Sequence, residues 1–216
     1  PDAVVIPELS YQEAAELAYF GAKVIHPSTM SPAITHNITV WIKNTFTPDA
    51  PGTRISATSP KDMPIKGFAA VEDMVLINVE GTGMMGIPGV AHKVFGALRA
   101  VDVSVVMISQ ASSEHSICFA VPRVHAERAK KTVEETFVVE MERGEVQTID
   151  LTDNCCIIAM VGDGMIERLG MAGMFFSALG KAGINVRAIA QGSSERNISA
   201  VIEQAEATKA LRAIHS

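Results

Sequence analysis

Two polar turns of the sequence carry the same side chains, and their chemistry is that of binding. Gln110-x-Ser112-Ser113-Glu114 recurs as Gln191-x-Ser193-Ser194-Glu195. A glutamine amide both donates and accepts hydrogen bonds, and a serine hydroxyl can do either. A free turn has no packing reason to keep these side chains, so we interpret the turns as ligand contacts. The alternative is that the serines only cap a hairpin.

A glycine-rich loop precedes each turn and supplies backbone donors. The loops are Gly81–Pro88 and Gly162–Gly170, each followed by a segment of helical periodicity. Backbone N–H groups at the start of a helix point outward, at the positive end of the helix dipole, which suits a carboxylate. Loop and turn together therefore predict a site for a small zwitterion such as an amino acid. The loop residues in this prediction are Gly81, Gly83, Met84, Gly162, Asp163, Gly164 and Met165.

The two loop-and-turn sets belong to an internal duplication. A shift of 81 residues aligns residues 81–117 with 162–198 without a gap, and 15 of these 37 positions are identical. The copies differ at Thr82/Asp163, Asp102/Gly183 and Ser104/Asn185, so the two sites need not be equivalent. Either Asp102 or Asp163 can meet an ammonium group, but each can equally be a cap or an exposed turn acid.

The elements that position these turns follow the order β-α-β-β-α-β. The first copy has predicted strands at Val75–Val79, Ser104–Ile108, Ile117–Val121 and Glu145–Leu151, and helical patterns from Val90 to Val101 and over His125–Phe137. The second has strands at Ile157–Val161, Val186–Ala190 and Ile198–Ile202, and helical patterns from Met171 to Ala182 and over Ala205–Ile214. The second copy lacks a fourth strand, whereas Ile65–Val71 is a strand-like segment without a partner. We therefore expect Ile65–Val71 to complete the second unit, with the first unit inserted in it.

The first 60 residues follow a different pattern. Ser10-Tyr-Gln-Glu13 has the spacing of a capping box, which predicts a helix from there to Phe20. His26-Pro27 and Ser31-Pro32 are predicted to interrupt regular structure, and Thr39–Asn44 to form a strand. Thr47–Pro64 has the composition of a loop or linker, which places a boundary near residue 60.

Composition excludes several functions. The formal net charge is −6 without a long basic run, which argues against nucleic-acid binding, and no apolar stretch reaches 18 residues, which argues against a membrane span. No signal peptide is visible, and the first residue is not Met, which suggests a fragment. The three cysteines are expected to be buried thiols in a reducing compartment, and the scattered histidines predict no metal site.

One motif permits a competing interpretation. Gly81-x-Gly83-x-x-Gly86 fits the dinucleotide-binding fingerprint, but the duplicate has Glu167 in the third position. The strand after the first helix also leads into a hairpin, whereas a nucleotide-binding crossover needs parallel strands. We therefore favour amino-acid binding over dinucleotide binding.

Several motifs resemble the regulatory region of aspartate kinases, which consists of tandem ACT domains. YQEAAELAYFGAKVIHP from Tyr11 resembles the end of that family's kinase domain, and NTFTPDAPGT from Asn44 its junction with the regulatory part. VGDGM from Val161 and IAQGSSERNIS from Ile189 are most similar to threonine-sensitive bifunctional aspartate kinase–homoserine dehydrogenases.

The resemblance implies an α+β fold of two ferredoxin-like units. Residues 1–60 would be the end of a kinase domain and its linker, 73–152 unit 1, and 63–72 with 153–216 unit 2. The parent enzyme would phosphorylate L-aspartate using ATP and Mg²⁺, and this chain alone would not be catalytic. The family's nucleotide-binding lysine motif is not in it.

The resemblance also implies an effector and partners. Gln110 and Gln191 would contact an end-product amino acid, threonine in first place and lysine in second. The implied contacts further include Ser112, Ser193 and, where the copies differ, Asp102 and Asn185. The chain would form homodimers through its ACT units, in the cytoplasm or in a plastid stroma. A scaffold module without a ligand is the alternative from another class.

Overall fold

The amino-terminal segment forms a small sheet and two helices in the computed structural model, which describes residues 4–21, 25–110 and 115–215. Its elements are β1 (Glu8–Ser10), α1 (Tyr11–Tyr19), α2 (Pro27–Thr35), β2 (Val40–Ile42) and β3 (Thr53–Ser56). Strand β3 lies between the other two, parallel to β1 and antiparallel to β2.

The start of α1 follows the prediction. Ser10 Oγ accepts from the Glu13 N–H at 3.1 Å, and a Glu13 carboxylate oxygen accepts from the Ser10 N–H at 2.7 Å, which is a capping box. The prediction that the two prolines interrupt regular structure is wrong, because Pro27 begins α2 and Pro32 lies inside it. A first helical position needs no donor, so Pro27 costs no hydrogen bond there.

Two long strands form the centre of the molecule. These are β4 (Gly67–Glu80) and β7 (Thr148–Val161), each of 14 residues, and they pair antiparallel along most of their length. The sequence patterns predicted four separate strands here. The segments are continuous because each strand crosses from one unit into the other.

Each unit uses half of both central strands. Unit 1 adds α3 (Val90–Ala100), β5 (Met107–Gln110), β6 (Ser116–Pro122), α4 (Ala126–Thr136) and α5 (Val138–Glu142), and unit 2 adds α6 (Met171–Lys181), β8 (Ala188–Gln191), β9 (Asn197–Glu203) and α7 (Ala207–His215). The six strands form one sheet in the order β5-β6-β4-β7-β9-β8. Ser109 Oγ of β5 donates to the Ile189 carbonyl of β8 at 2.8 Å, so the two edge strands lie close together. A six-stranded sheet whose edges meet in this way must be strongly curved.

The register of β4 confirms that unit 1 is inserted in unit 2. Gly67–Val71 pairs with Ile157–Val161, so this segment is the fourth strand of unit 2, while Leu76–Glu80 pairs with Thr148–Thr152 in unit 1. Strand β5 pairs antiparallel with β6, which removes the parallel crossover that dinucleotide binding requires. The proposed limits of 63–72, 73–152 and 153–216 stay predictions.

Irregular register marks the point where each central strand changes unit. The shifts lie between Val71 and Leu76 of β4, opposite residues 152–157 of β7. Asp73 and Asn154, which are 81 positions apart, have φ of 56° and 54°. A β-bulge of this kind bends a strand and increases its twist, which lets one strand serve two sheets at different angles.

Apolar side chains on the two sheet faces serve different purposes. Val75, Ile77 and Val79 of β4 pack with α3 and α4, and a corresponding cluster in unit 2 joins Ile158 and Met160 to α6 and α7. The opposite face of both units packs in one further cluster with the apolar side of α1. The amino-terminal segment therefore shares a hydrophobic core with both units.

A glycine beside the borrowed strand gives a test of the nesting. A Cβ on Gly162 would lie 2.2 Å from the Pro64 carbonyl oxygen, immediately before β4. We expect Gly162→Ala to lower the free energy of unfolding by about 1–3 kcal/mol, because backbone must move.

The control is Gly96→Ala in the middle of α3, where a Cβ would meet nothing within 4 Å. That change should raise stability by about 0.5–1 kcal/mol through helix propensity. Urea denaturation measures both variants. Equal stability of Gly162→Ala and the unchanged protein would contradict the close approach of residue 64.

Candidate functional site

Two cavities occupy matching positions in the two units. The unit 1 cavity, of about 280 Å³, is lined by Met84, Gly86, Ile87, Pro88, Gly89, Val90, Ala91, Gln110 and Ile117. The unit 2 cavity, of about 390 Å³, is lined by Met165, Glu167, Arg168, Leu169, Gly170, Met171, Ala172, Gly173, Gln191, Glu195 and Ile198. Every unit 1 lining residue has its counterpart 81 positions later in unit 2. The duplication therefore preserves a cavity as well as a fold.

The glycine loop places a helix start against each cavity. Gly89 and Gly170 precede α3 and α6 with φ of 92° and 85°, and neither helix has a side-chain cap. Among the described residues, the backbone N–H groups of the first turn have no side-chain acceptor. Because Val90 and Met171 line the cavities, these donors are placed to meet an anionic group of a ligand.

The turn glutamines lie where the cavities meet the ends of the edge strands. Gln110 ends β5, Gln191 ends β8, and both side chains are exposed. They also line a larger cleft of about 740 Å³ beneath α1, together with Glu16 and Tyr19. Each glutamine therefore lines both the cavity of its own unit and the cleft that the two units share.

The two cavities differ in charge. The unit 2 cavity is lined by Glu167 and Arg168 where the unit 1 cavity has Gly86 and Ile87, and also by Glu195, whose counterpart Glu114 lies outside the described residues. A Glu195 carboxylate oxygen accepts from the Glu167 N–H at 2.7 Å. Sequence reasoning missed these three residues because their unit 1 counterparts differ or were assigned to the turn.

The glycines of the loops have a packing role. A Cβ on Gly81 would lie 2.2 Å from the Glu145 carbonyl oxygen, and one on Gly83 would lie 2.5 Å from the Glu145 Cα. Gly162 and Gly164 approach residue 64 in the same way. The Gly81 N–H donates to the His115 carbonyl, so this donor is already used.

The remaining predicted contacts lie in different places. Met84 and Met165 are buried in the cavity walls. Asp102 and Asn185 are exposed in the turns after α3 and α6, and Ser193 is exposed after β8. These three positions are absent from the lining of either cavity. Ser112 lies outside the described residues, and the role of all these positions as ligand contacts stays a prediction.

Asp163 is held within the protein. Arg196 Nε donates to an Asp163 carboxylate oxygen at 2.6 Å, and the Asp163 N–H donates to Glu13 Oε1 at 2.7 Å. Its counterpart Thr82 instead donates its N–H to Gln147 Oε1 at 2.8 Å. The loops of the two units are therefore attached to different parts of the chain.

Candidate metal ligands and cysteine thiols form a separate group of chemistry-bearing side chains. No group of three His, Cys, Asp or Glu side chains among them is placed to hold a metal ion. Burial raises the pKa of Cys118 to about 11 and that of Cys156 to about 12, which keeps both thiols protonated at neutral pH. None of the helices formed by these residues has the length and apolar character of a membrane span.

Family models match both parts of the chain. The ACT domain model matches residues 77–137 and 158–216, and the amino acid kinase family model matches residues 1–44. The two ACT matches fall on unit 1 and unit 2. The kinase match covers α1, α2 and β2.

Curated relatives match the whole chain. It is 47% identical over 221 residues to the chloroplastic bifunctional aspartokinase/homoserine dehydrogenase 2 of Arabidopsis thaliana, covering 100% of this chain and 24% of the relative. It is 46% identical to the bifunctional aspartokinase/homoserine dehydrogenase of Haemophilus influenzae, covering 100% of this chain and 26% of the relative. The chain thus spans about a quarter of the length of these relatives.

Solved structures share the fold. Clostridium acetobutylicum aspartate kinase superposes with a TM-score of 0.86 at 29% identity, over 98% of this chain and 48% of that one. E. coli aspartokinase III in complex with lysine and aspartate, in its T-state, superposes with a TM-score of 0.74 at 25% identity, over 97% and 45%. Fold and sequence therefore agree on the same group of proteins.

An ion pair beside the unit 1 cavity provides a test of its charged surroundings. Lys93 of α3 donates to Glu140 of α5 and lies 4.7 Å from the Phe137 ring centroid. The hydrogen bond from Lys93 lowers the pKa of the Glu140 carboxyl below its ordinary value. A carboxyl with a lowered folded-state pKa stabilises the fold above its unfolded pKa, about 4.3, and this contribution is lost as the pH falls through the folded pKa.

We therefore expect Glu140→Gln to lower the melting temperature at pH 7, and this deficit to shrink as the pH falls below about 4.3. Melting curves recorded between pH 3 and 7 measure the effect. Glu142→Gln, on the exposed side of the same helix, is the control. A deficit for Glu140→Gln that does not change with pH would contradict the role of the carboxylate.

Proposed function

We infer that this chain, which belongs to the ACT domain family and forms an aspartate kinase regulatory region, binds an end-product amino acid. Binding of this amino acid would inhibit the parent enzyme. The inhibited reaction would be phosphorylation of L-aspartate by ATP. ATP and Mg²⁺ would bind to the kinase domain of the parent, and this chain would supply the regulation. The observation that carries the proposal is the pair of matched cavities, each formed by an uncapped helix start and a glutamine.

The chemistry of the cavities fits an amino acid. The N–H groups of the first helical turn suit the α-carboxylate, and the glutamine amide oxygen can accept from the α-ammonium group. Met84, Ile87 and Ile117 leave an apolar wall for a small side chain in unit 1. A site of this kind binds with directional polar contacts and excludes water from the rest.

Threonine is the favoured effector. The 47% identity to a bifunctional aspartokinase/homoserine dehydrogenase supports this choice. Lysine remains the second candidate, because Glu195 lines the unit 2 cavity and E. coli aspartokinase III was solved with lysine.

Association of two copies through the ACT units is part of the proposal. Ile108 and Ile189 occupy matching positions on the edge strands, and their side chains are 47% and 46% exposed. Large apolar side chains at a sheet edge favour contact with another chain. A scaffold that associates in this way without any ligand is the competing function.

Thermal unfolding in the presence of single amino acids distinguishes these functions. A ligand at about one hundred times its Kd stabilises the folded state by about 2.7 kcal/mol, so the effector must raise the melting temperature. We expect L-threonine to do so and L-lysine to have a smaller effect. A larger shift with lysine would transfer the assignment to lysine, and no shift with any amino acid would favour the scaffold.

The glutamines test the position of the site. We expect Gln110→Ala and Gln191→Ala each to raise the effector concentration for half inhibition of the full-length enzyme by up to about tenfold, through loss of a hydrogen bond. Gln12→Ala, which removes an exposed glutamine from α1, is the control. Inhibition assays in which both cavity variants behave like the control would show that the glutamines do not bind the effector.

A further inference from the structure

The loop of each unit contains one backbone N–H whose acceptor differs between the units. In unit 1 the Thr82 N–H donates to Gln147 Oε1 at 2.8 Å, and Gln147 Nε2 donates back to Thr82 Oγ1 and to the Gly144 carbonyl. All of these groups belong to unit 1. In unit 2 the matching Asp163 N–H donates to Glu13 Oε1 at 2.7 Å, across to the kinase-derived helix α1.

Glu13 is fully buried and every part of its carboxylate is engaged. Its exposed fraction is 0%. Oε2 accepts from the Ser10 N–H and from Ser59 Oγ, both at 2.7 Å, while Oε1 accepts from Asp163. One carboxylate thus joins the start of α1, the linker before β4 and the loop of unit 2. A buried carboxylate holds such donors firmly because an unsatisfied buried charge is costly.

Helix α1 also contacts unit 2 through two further side chains. Glu16 Oε2 accepts from Asn197 Nδ2 at 2.6 Å, and a Cβ on Gly67 would lie 3.2 Å from Leu17 Cδ2. The described polar contact of α1 with unit 1 is an exposed hydrogen bond from Tyr19 to the Val106 carbonyl at 3.0 Å.

The contacts of α1 with unit 2 reach the walls of its cavity. Asp163 is two residues before Met165, and Asn197 is next to Ile198, and both Met165 and Ile198 line the cavity. A ligand that moves the loop or the start of β9 must therefore move the acceptors on α1 or break these hydrogen bonds.

We propose that Glu13 is a positioning residue that transmits the occupancy of the unit 2 cavity to the kinase segment, through a buried carboxylate contact for which the described residues of unit 1 show no counterpart. This inference rests on the proposed function, since it names the route by which that site would regulate. Unit 1 acts through the central strands β4 and β7, which it shares with unit 2. The two effector sites then differ in their connection to the kinase segment even where their cavities match.

Inhibition of the full-length enzyme tests the connection. Glu13→Gln keeps the size of the side chain but replaces one acceptor oxygen by a donor, so three N–H and O–H donors compete for one oxygen. We expect the effector still to bind, measured by calorimetry, while the concentration for half inhibition rises by about tenfold, as loss of a typical allosteric coupling would give.

Gln147→Ala is the matched control, because it removes the corresponding acceptor in unit 1. It should leave the half-inhibiting concentration within about twofold of the original, since no coupling to the kinase segment is lost. If Glu13→Gln is inhibited like the unchanged enzyme, the proposed connection is wrong although the sensor function stands. If the unchanged enzyme neither binds nor responds to any amino acid, the sensor function itself fails, and the connection with it.

Hydrogen exchange provides a readout that needs no effector. In the ligand-free full-length protein, the amide of Asp163 should exchange faster in Glu13→Gln than in the unchanged protein, while that of Thr82 should not. Equal protection of Asp163 in both proteins would overturn the hydrogen bond on which the inference rests.

Should Glu13→Gln fail to fold, a second pair of variants decides the question. Asp163→Pro removes the N–H and leaves the capping box of α1 intact, and Thr82→Pro does the same in unit 1. The preceding glycines are extended, with φ/ψ of 171°/135° at Gly162 and −173°/129° at Gly81, which a following proline accepts. Asp163→Asn keeps the N–H and measures separately the loss of the ion pair with Arg196. Inhibition lost in Asp163→Pro alone supports the connection, and inhibition retained in it refutes the connection.

Discussion

The antiparallel pairing of the two 14-residue strands β4 and β7 holds both units together, and all other elements are arranged around it. Each unit needs half of each strand for its sheet, so neither unit is complete without the segment that passes through the other. The change of unit takes place at residues in the left-handed conformation, Asp73 and Asn154. Each is fixed by a side chain from a matching position. Gln204 accepts from the Asp73 N–H at 2.8 Å, and Arg123 donates to Asn154 Oδ1 at 2.7 Å.

This arrangement joins the two matched cavities in one continuous structure. A ligand can shift an equilibrium only by binding two arrangements differently, and shared strands make the arrangement of one unit a property of both. The third apolar cluster, which unites both units with α1, extends this body into the kinase-derived segment. Helix α1, which lies in the part of the chain that matches the amino acid kinase family, is thus packed into the same body as both cavities.

The near-symmetry of the units makes their differences informative. Nine lining positions match between the cavities, but Glu167 and Arg168 of unit 2 occupy the positions of Gly86 and Ile87 in unit 1. The same loop N–H is satisfied by Gln147 within unit 1 and by Glu13 from α1 in unit 2. After a duplication, one copy can acquire a contact to a neighbouring segment that the other copy does not share. Equal folds therefore do not imply equal roles.

Local and repeated sequence patterns were enough to predict three features of the fold. The 81-residue offset established the duplication, the capping box placed α1, and the missing strand predicted the insertion of unit 1, because periodicity and capping act over a few residues. Other features became visible in the tertiary structure alone. It joined predicted strands into β4 and β7, formed β3 inside a segment with linker composition, and showed that Gly81 and Gly162 allow close packing rather than line a cavity. It also showed that Glu13, predicted as part of a helix cap, links α1 to unit 2. Such contacts join residues up to 150 positions apart, and no short-range pattern encodes which distant N–H a buried carboxylate will meet.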